Sequence, residues 1–412
     1  MTLCQLCGLE NRAHNIANTM PATKIINISE KSVTLQVDST DLKMYINNDF
    51  SRLEINLKGC LENYRYFRSK LDDSTRLLVL VKANAYGHGA VEFASLMEEA
   101  GADYLAVAYP VEGIELRQAG INSPIMVLTA GTDSFEQIIN YGLEPGIPNL
   151  CSLKVLCGVL EKRGLKDFPI HIKLDTGMHR LGFMTGELEE LSDYLKTCSC
   201  VKVKSIYSHL AGSDEPEMDA YTLRQVELFQ SNADRLTSAL GYKPLYHILN
   251  SAGIERFPQY QFDMVRLGIG IYGVSAVPGT ELSPVASFKC KVLQIKALNP
   301  EDGTIGYGGH GRIAQEGTVV ATIPVGYADG LDRHLSQGRG VFSVNGHMVP
   351  TIGNICMDMT MLDVTGVDVK VGDTVTIFGE NPTVTEIAKS LGTIPFEILT
   401  SVPRRIERVI VK

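Results

Sequence analysis

Lys82 stands at the tip of an apolar run, Leu77-Leu78-Val79-Leu80-Val81, and is followed by Ala83-Asn84-Ala85-Tyr86-Gly87-His88-Gly89. Such a run reads as a buried strand ended by turn-forming residues, so the lysine is either desolvated or paired. Desolvation disfavours a charged amine, lowers its pKa and makes it a nucleophile toward carbonyl carbon, which is how lysines that form Schiff bases are prepared. For a single lysine, snorkelling out of a strand end is the plainer reading. The balance shifts because other polar residues collect at comparable places: Tyr86, Arg180, His209, Asn250-Ser251, and Arg266 ahead of Gly268 and Gly270.

Eight strand-like runs place these residues: Leu77–Lys82, Tyr104–Tyr109, Ile125–Thr129, Glu144–Pro148, Ile170–Asp175, Val203–His209, Tyr246–Asn250 and Met264–Tyr272. The fourth fits least well, because its two prolines suit a central strand poorly. Helical patterns fill most of the gaps and stop at Gly101, Gly120, Gly164 and Gly241. Eight βα repeats in roughly 200 residues predict a (β/α)8 TIM-type barrel, whose active groups sit where strands end and βα loops begin. From about residue 283 the rhythm changes to short strands with glycine-rich turns, including Asp302-Gly303 and Asn345-Gly346, and one helix, Val384–Leu391. The expected division is therefore α/β: an extension over 1–48, a barrel over 49–282 and an all-β domain over 283–412. In the extension, Ile25–Ile28 and Val33–Val37 read as short strands of a hairpin.

The chain has 412 residues, 44% hydrophobic and 21% charged, with a net charge of -9. That balance argues against a nucleic-acid or anionic-membrane surface. No apolar stretch approaches the ~20 residues of a membrane span, and no secretory leader is recognisable. Nine scattered cysteines fit reduced, mostly buried thiols of a cytoplasmic protein. Cys4-Gln5-Leu6-Cys7 lacks the second pair of ligands that would complete a zinc site, so no metal is expected.

The ordered motifs resemble the alanine racemases, pyridoxal-phosphate enzymes built from a barrel and a β domain. The likeness rests on Val81–Gly89, Lys173–Gly182, Ser208-His209-Leu210-Ala211, Asn250–Gly253 and Arg266–Gly273. It continues through Gly306-Tyr307-Gly308, Gly326-Tyr327-Ala328-Asp329-Gly330 and Cys356-Met357-Asp358, from about residue 51 to the C-terminus. The resemblance implies that Lys82 bonds to the cofactor and serves as base on one face of Cα, while Tyr307 from a partner subunit serves the other. It implies that His209 and Arg266 form a polar relay, needed because a free phenol ionises only near ~10. Arg266 faces the cofactor's pyridine nitrogen, where many other such enzymes place a carboxylate. Ser251 with the N–H groups of Gly268 and Ile269 cradles the phosphate, and Tyr86 contacts it. Arg180 and the backbone of Met357 take the substrate carboxylate.

Lys173 is either carbamylated, as in several relatives, or a plain lysine paired with Asp175 or another carboxylate. Two positions depart from the family pattern. Arg404 stands where many members carry a phosphate-contacting tyrosine, and Asn354 where some carry an arginine in the access corridor. The implied activity is interconversion of L- and D-alanine by a cytoplasmic homodimer with shared sites, supplying D-alanine for peptidoglycan. The alternatives are a racemase of broader range, acting on serine or other small amino acids, and a decarboxylase on the same architecture. Against the decarboxylase, Cys356 is followed by Met357-Asp358 rather than a Cys-Asp-Ser type motif. A non-catalytic cofactor-binding protein would be a single barrel, without the domain that holds Tyr307.

Overall fold

The computed structural model describes Ile28–Ser29, Ser32–Val33 and residues 50–411. The two dipeptides pair antiparallel, Ile28 opposite Val33 and Ser29 opposite Ser32. The rest of the hairpin expected over 25–37, and the Cys4/Cys7 pair, lie outside the described residues.

The barrel strands are Arg76–Leu80, Tyr104–Val107, Ile125–Val127, Glu144–Ile147, Phe168–Lys173, Val201–Tyr207, Leu245–His247 and Met264–Leu267. Each pairs parallel with the next as far as the seventh, and the eighth pairs parallel with the first. Two backbone bonds bridge the remaining gap, Asp263 N–H to the Tyr246 carbonyl (3.2 Å) and Arg266 N–H to that of Leu249 (3.0 Å). All eight expected strands are present. The proline-bearing fourth survives because it is short: Pro145 sits opposite Val127, and Pro148 falls beyond its end. Leu77, Leu78, Val79 and Val81 are wholly buried, as a strand covered on both faces requires.

Ser51–Asn56 lies inside the stretch expected as barrel but belongs elsewhere. It pairs antiparallel with Ala286–Lys291 and parallel with Glu407–Val411, inside a six-stranded sheet of the C-terminal domain. Its burial alternates residue by residue, the period of a strand with one covered face, whereas barrel strands such as Tyr104–Val107, Ile125–Val127 and Met264–Leu267 are buried at every position. The domain adds a three-stranded sheet of Gln294–Leu298, Thr318–Ile323 and Thr360–Asp363, and a small hairpin of Thr304–Ile305 with Gly311–Arg312. Beyond the expected helix Val384–Leu391 lies a second, Pro395–Ser401, with proline in its first turn.

Candidate active site

After the first barrel strand the backbone turns the wrong way. Ala83, Asn84, Ala85 and Tyr86 have φ of 51°, 55°, 51° and 53°, a full turn of left-handed helix without a glycine. Each such residue costs about 1–2 kcal/mol, so the surroundings must hold the turn in place. Ala83 N–H donates to one carboxylate oxygen of Glu112, whose other oxygen takes Ala108 N–H at 2.7 Å and Tyr109 N–H at 3.0 Å. Asn84 Oδ1 accepts from Ala90 N–H (3.0 Å), and His88 Nδ1 donates to the carbonyls of Ala85 (2.9 Å) and Tyr86 (3.0 Å). Arg408, from the last strand, donates from Nε to the Gly87 carbonyl at 2.9 Å. The turn fixes where the Lys82 amine points. Burial and the nearby Arg180 cation push that amine's pKa down, against a smaller pull upward from Glu112.

The amine opens onto a cavity of about 620 Å³ at the C-terminal rim of the barrel, where Tyr86, Lys173, Arg180, His209, Ser251, Arg266, Gly268 and Ile269 also meet. Eight of the residues read from the sequence as site residues are thus brought together here. Ile394, Pro395 and Phe396 of the extra helix line the mouth, and Phe396 packs against Tyr86 at 5.9 Å between centroids. Ser251 Oγ accepts N–H bonds from Gly268 (2.9 Å) and Gly270 (3.1 Å), which differs from the expected pairing of free Gly268 and Ile269 amides. With both lone pairs engaged, the hydroxyl proton of Ser251 is left to donate. A Cβ on Gly268 would stand 3.1 Å from Tyr86 Oη and 3.7 Å from Ser251 Oγ, so glycine keeps this corner open.

Arg266 is buried and anchors a chain of polar groups through the barrel interior. Its Nη2 donates to the carbonyls of Ser208 (2.6 Å) and Ile248 (3.0 Å) and to Nδ1 of His209 (3.3 Å). Its Nη1 donates to Nδ1 of His247 at 3.0 Å. Arginine has no acceptor, so both histidines accept at Nδ1 and, when neutral, carry their proton on Nε2. The polarity then propagates: His247 Nε2–H to Ser205 Oγ (2.8 Å), Ser205 O–H to His171 Nδ1 (2.6 Å), and His171 Nε2–H to the Glu144 carboxylate (2.9 Å).

Burial, then Arg266, holds both His209 and His247 far below the ordinary imidazole pKa; burial drives His88 to about 4. These groups bind protons more readily when unfolded, so their stabilising contribution is full above pH ~6.5 and is lost as pH falls below it. His88 and His247 together are expected to remove roughly 3 kcal/mol per pH unit, to pH ~4 for His88. Urea unfolding at pH 7.5, 6 and 5 measures this; an unchanged midpoint would contradict it.

Tyr307 and Met357 are not at this cavity. Tyr307 is 74% exposed in the turn between Ile305 and Gly311, and Met357 is 55% exposed. Asn354 holds the two loops together: its Nδ2 donates to the Tyr307 carbonyl (2.9 Å) and its Oδ1 accepts from Gln337 (3.0 Å). The residue is 6% exposed, so it supports the tyrosine's loop from beneath. Tyr327 and Ala328 N–H donate to the carbonyls of Cys356 and Met357 (3.0 Å each), joining two of the quoted motifs. Arg404 turns away from the cavity and makes a bidentate pair with Glu115 on barrel helix Pro110–Gln118, at 3.1 and 2.9 Å. Asp175 likewise is spoken for, accepting the N–H groups of Gly177 and His179 at 3.0 Å each, and makes no ion pair with Lys173 among the described residues.

Residues 55–276 match the alanine racemase N-terminal domain, and residues 285–410 the alanine racemase C-terminal domain. The chain belongs to the alanine racemase family. It is 38% identical over 376 residues to "Alanine racemase 2" of Caldanaerobacter subterraneus subsp. tengcongensis, spanning 87% of this chain and 94% of that one. The alanine racemase of Synechocystis is 36% identical over 370 residues, 87% of this chain and 98% of the relative. Among solved structures, the alanine racemase of Clostridium difficile superposes with a TM-score of 0.81 at 34% identity, covering 88% and 95% of the two chains. That of Streptomyces lavendulae gives 0.83 at 31% identity, covering 89% and 98%.

The family depends on pyridoxal phosphate, and the residues at the rim fit that group. The Ser251 hydroxyl and the Tyr86 phenol beside Gly268 suit a phosphate, and the lowered Lys82 amine suits an aldehyde. The bonds named above engage both terminal nitrogens of Arg266, leaving Nε–H as a donor. The alanine racemase motifs pointed to the rim residues, but Glu112, His88 and Arg408 carried no signal of their own. His171 and Ser205 did: each is a polar residue in the buried second half of its strand.

Proposed function

We propose that this chain, as a homodimer with shared sites, interconverts L- and D-alanine using pyridoxal phosphate held at the barrel rim. The observation that carries the reading is the split of the two bases: Lys82 lines the cavity, and Tyr307 stands outward on the other domain. A second chain can supply the missing phenol, and Tyr307, Tyr327, Met357 and Met359 form an exposed apolar set suited to such a contact. The curated relatives are named alanine racemases, and a related Bacillus anthracis structure is described with bound L-Ala-P.

Bound, pyridoxal phosphate supplies an electron sink for the pair left when Cα loses its proton. Lys82 removes or returns that proton on one face, and Tyr307 of the partner subunit does so on the other. Arg180, aided by the backbone N–H of the partner's Met357, holds the substrate carboxylate so that the Cα–H bond meets the bases. His209, neutral and fixed by Arg266, offers Nε2 to the phenol. Arg266, although lowered to about 10 by burial, stays protonated at neutral pH and donates a hydrogen bond without giving up a proton. That limits how deeply the carbanion is stabilised and favours its prompt reprotonation. Ser251, Tyr86 and the N–H of Ile269 would hold the phosphate, in the corner that Gly268 keeps open. The D-alanine formed would serve peptidoglycan assembly in the cytoplasm; no described helix is long and apolar enough to cross a membrane.

The deciding experiment mixes Lys82→Ala chains with Tyr307→Phe chains under conditions of subunit exchange. In a 1:1 random mixture half of the dimers are mixed, and each holds one site with both native bases, so roughly a quarter of wild-type activity should return. No recovery despite proven exchange would reject the shared site.

Burial, Arg266 and Arg180 lower the Lys173 amine to about 8, so a useful fraction is neutral near physiological pH. A neutral amine adds CO2, releasing one proton and forming a carbamate whose negative charge suits the two arginines. Labelled bicarbonate should give a carbamate carbon signal that is absent in Lys173→Ala, and CO2-free buffer should lower the activity of the wild type alone. A signal persisting in the variant would refute the assignment.

A further inference from the structure

Away from the active site, Cys157, Cys198 and Cys200 bring three thiols together, with all Sγ atoms within 4.8 Å of one another and Cys157 and Cys198 at 3.8 Å. Three elements supply them. Cys157 lies in helix Leu150–Lys162, Cys198 caps the C-terminal end of helix Leu188–Thr197, and Cys200 leads into strand Val201–Tyr207. A metal–sulfur bond of about 2.3 Å sets ligand sulfurs about 3.8 Å apart around a tetrahedral ion and about 4.0 Å apart around a trigonal one. The pair at 3.8 Å already has that separation, and the third sulfur needs to move by no more than ~1 Å. Tyr194 places its phenol beside Cys157 and Cys198, a fourth polar neighbour on the same side.

We propose that these three cysteines bind one thiophilic d10 cation of the zinc class. Binding replaces three S–H protons with three metal–sulfur bonds, so a divalent ion releases three protons and leaves one net negative charge. Cys198 borders a cleft of about 400 Å³ whose lining carries three lysines, Lys166, Lys196 and Lys202, against one carboxylate, Asp167, although Lys196 is already paired with Asp193 at 3.0 Å. The same cleft gives the ion a route in, since Cys198 is half-buried while Cys157 and Cys200 are 1% and 3% exposed. Held there, the metal clips two outer helices to the base of the strand whose far end leads to His209.

The test uses full-length, pyridoxal-phosphate-loaded, reduced protein carrying Cys4→Ser and Cys7→Ser, which removes the other closely spaced pair. Cadmium is titrated in while the ultraviolet thiolate-to-cadmium charge-transfer band is read. The expected result is a band that saturates at one equivalent per chain and is displaced by zinc. It should be lost in Cys157→Ser and Cys198→Ser and kept in Cys151→Ser, whose exposed thiol lies outside the cluster. Zinc should raise the thermal midpoint of the parent and not that of Cys198→Ser. Cys198, at the edge of the cluster, is the variant that keeps the fold, and an unchanged far-ultraviolet circular dichroism spectrum confirms it. A band surviving in Cys198→Ser, or no one-equivalent band in the parent, overturns the proposal, as does recovery of the cluster as a disulfide from reduced protein. None of these outcomes depends on the racemase reading.

Discussion

Replacing Lys82 by alanine is expected to remove the visible absorption of the lysine-bound cofactor and to lower racemisation by ~10⁴-fold or more, because in the proposed mechanism one side chain is both covalent anchor and base. Two lysines line the cavity, Lys82 and Lys173, and both amines are lowered, so pKa alone does not choose between them. Position does. Lys82 begins the left-handed turn held by Glu112, His88 and Arg408, whereas Lys173 ends a barrel strand beside Arg266 and Arg180. Lys173→Ala should therefore keep the visible band that Lys82→Ala loses. If the band instead followed Lys173, the anchor would be misassigned, and a band retained in both variants would place the cofactor elsewhere.

The second large effect is expected for Tyr307→Phe, a loss of ~10²–10⁴-fold in racemisation, the usual contribution of one general acid–base group. The enantiomers are equal in free energy, so kcat/KM must fall equally in the two directions, and net rates alone cannot locate the missing base. Exchange of the Cα hydrogen with deuterated water can. The enantiomer whose Cα–H faces Lys82 should still exchange, now without inversion, whereas its mirror image should lose exchange along with racemisation. Equal loss of exchange from both enantiomers would show that Tyr307 supports the fold of the site and is not its second base. The phenyl ring of the variant preserves the packing of the 304–312 hairpin, and the Asn354 bond reaches only the backbone carbonyl of residue 307, so the loop should stay in place.

The barrel is legible because its first three strands are buried on both faces and so read as apolar runs, because the βα spacing carries the rest, and because the rim rule then selects Lys82, Arg180, His209, Ser251 and Arg266. Ser51–Asn56 was assigned to the wrong layer because a lone short strand carries no mark of its partners, which lie more than two hundred residues away. Arg408 was invisible for the same reason, its acceptor at Gly87 being 321 positions distant. Glu112 reads as an ordinary acidic residue capping the first turn of its own helix, and nothing local says that it also grips the turn after Lys82. Asn354 was read as a residue of the access corridor because the family alignment supplies positions without directions; in the fold it faces inward. The segment after Lys82 reads from the sequence only as turn-forming residues ending a strand, since alanine and tyrosine give no hint of a left-handed helix.

The sheet that joins Ser51–Asn56 to Glu407–Val411 also has a consequence for synthesis. These two strands lie more than 350 residues apart in the chain, so this sheet of the C-terminal domain cannot close until Glu407–Val411 has been made. Contacts of such long sequence range are also slow to form. A nascent chain can complete its barrel early, but Arg408 does not yet clamp Gly87, and the platform for Tyr307 is unfinished. The turn that aims the amine thus gains its last support only when the final strand of this sheet is in place.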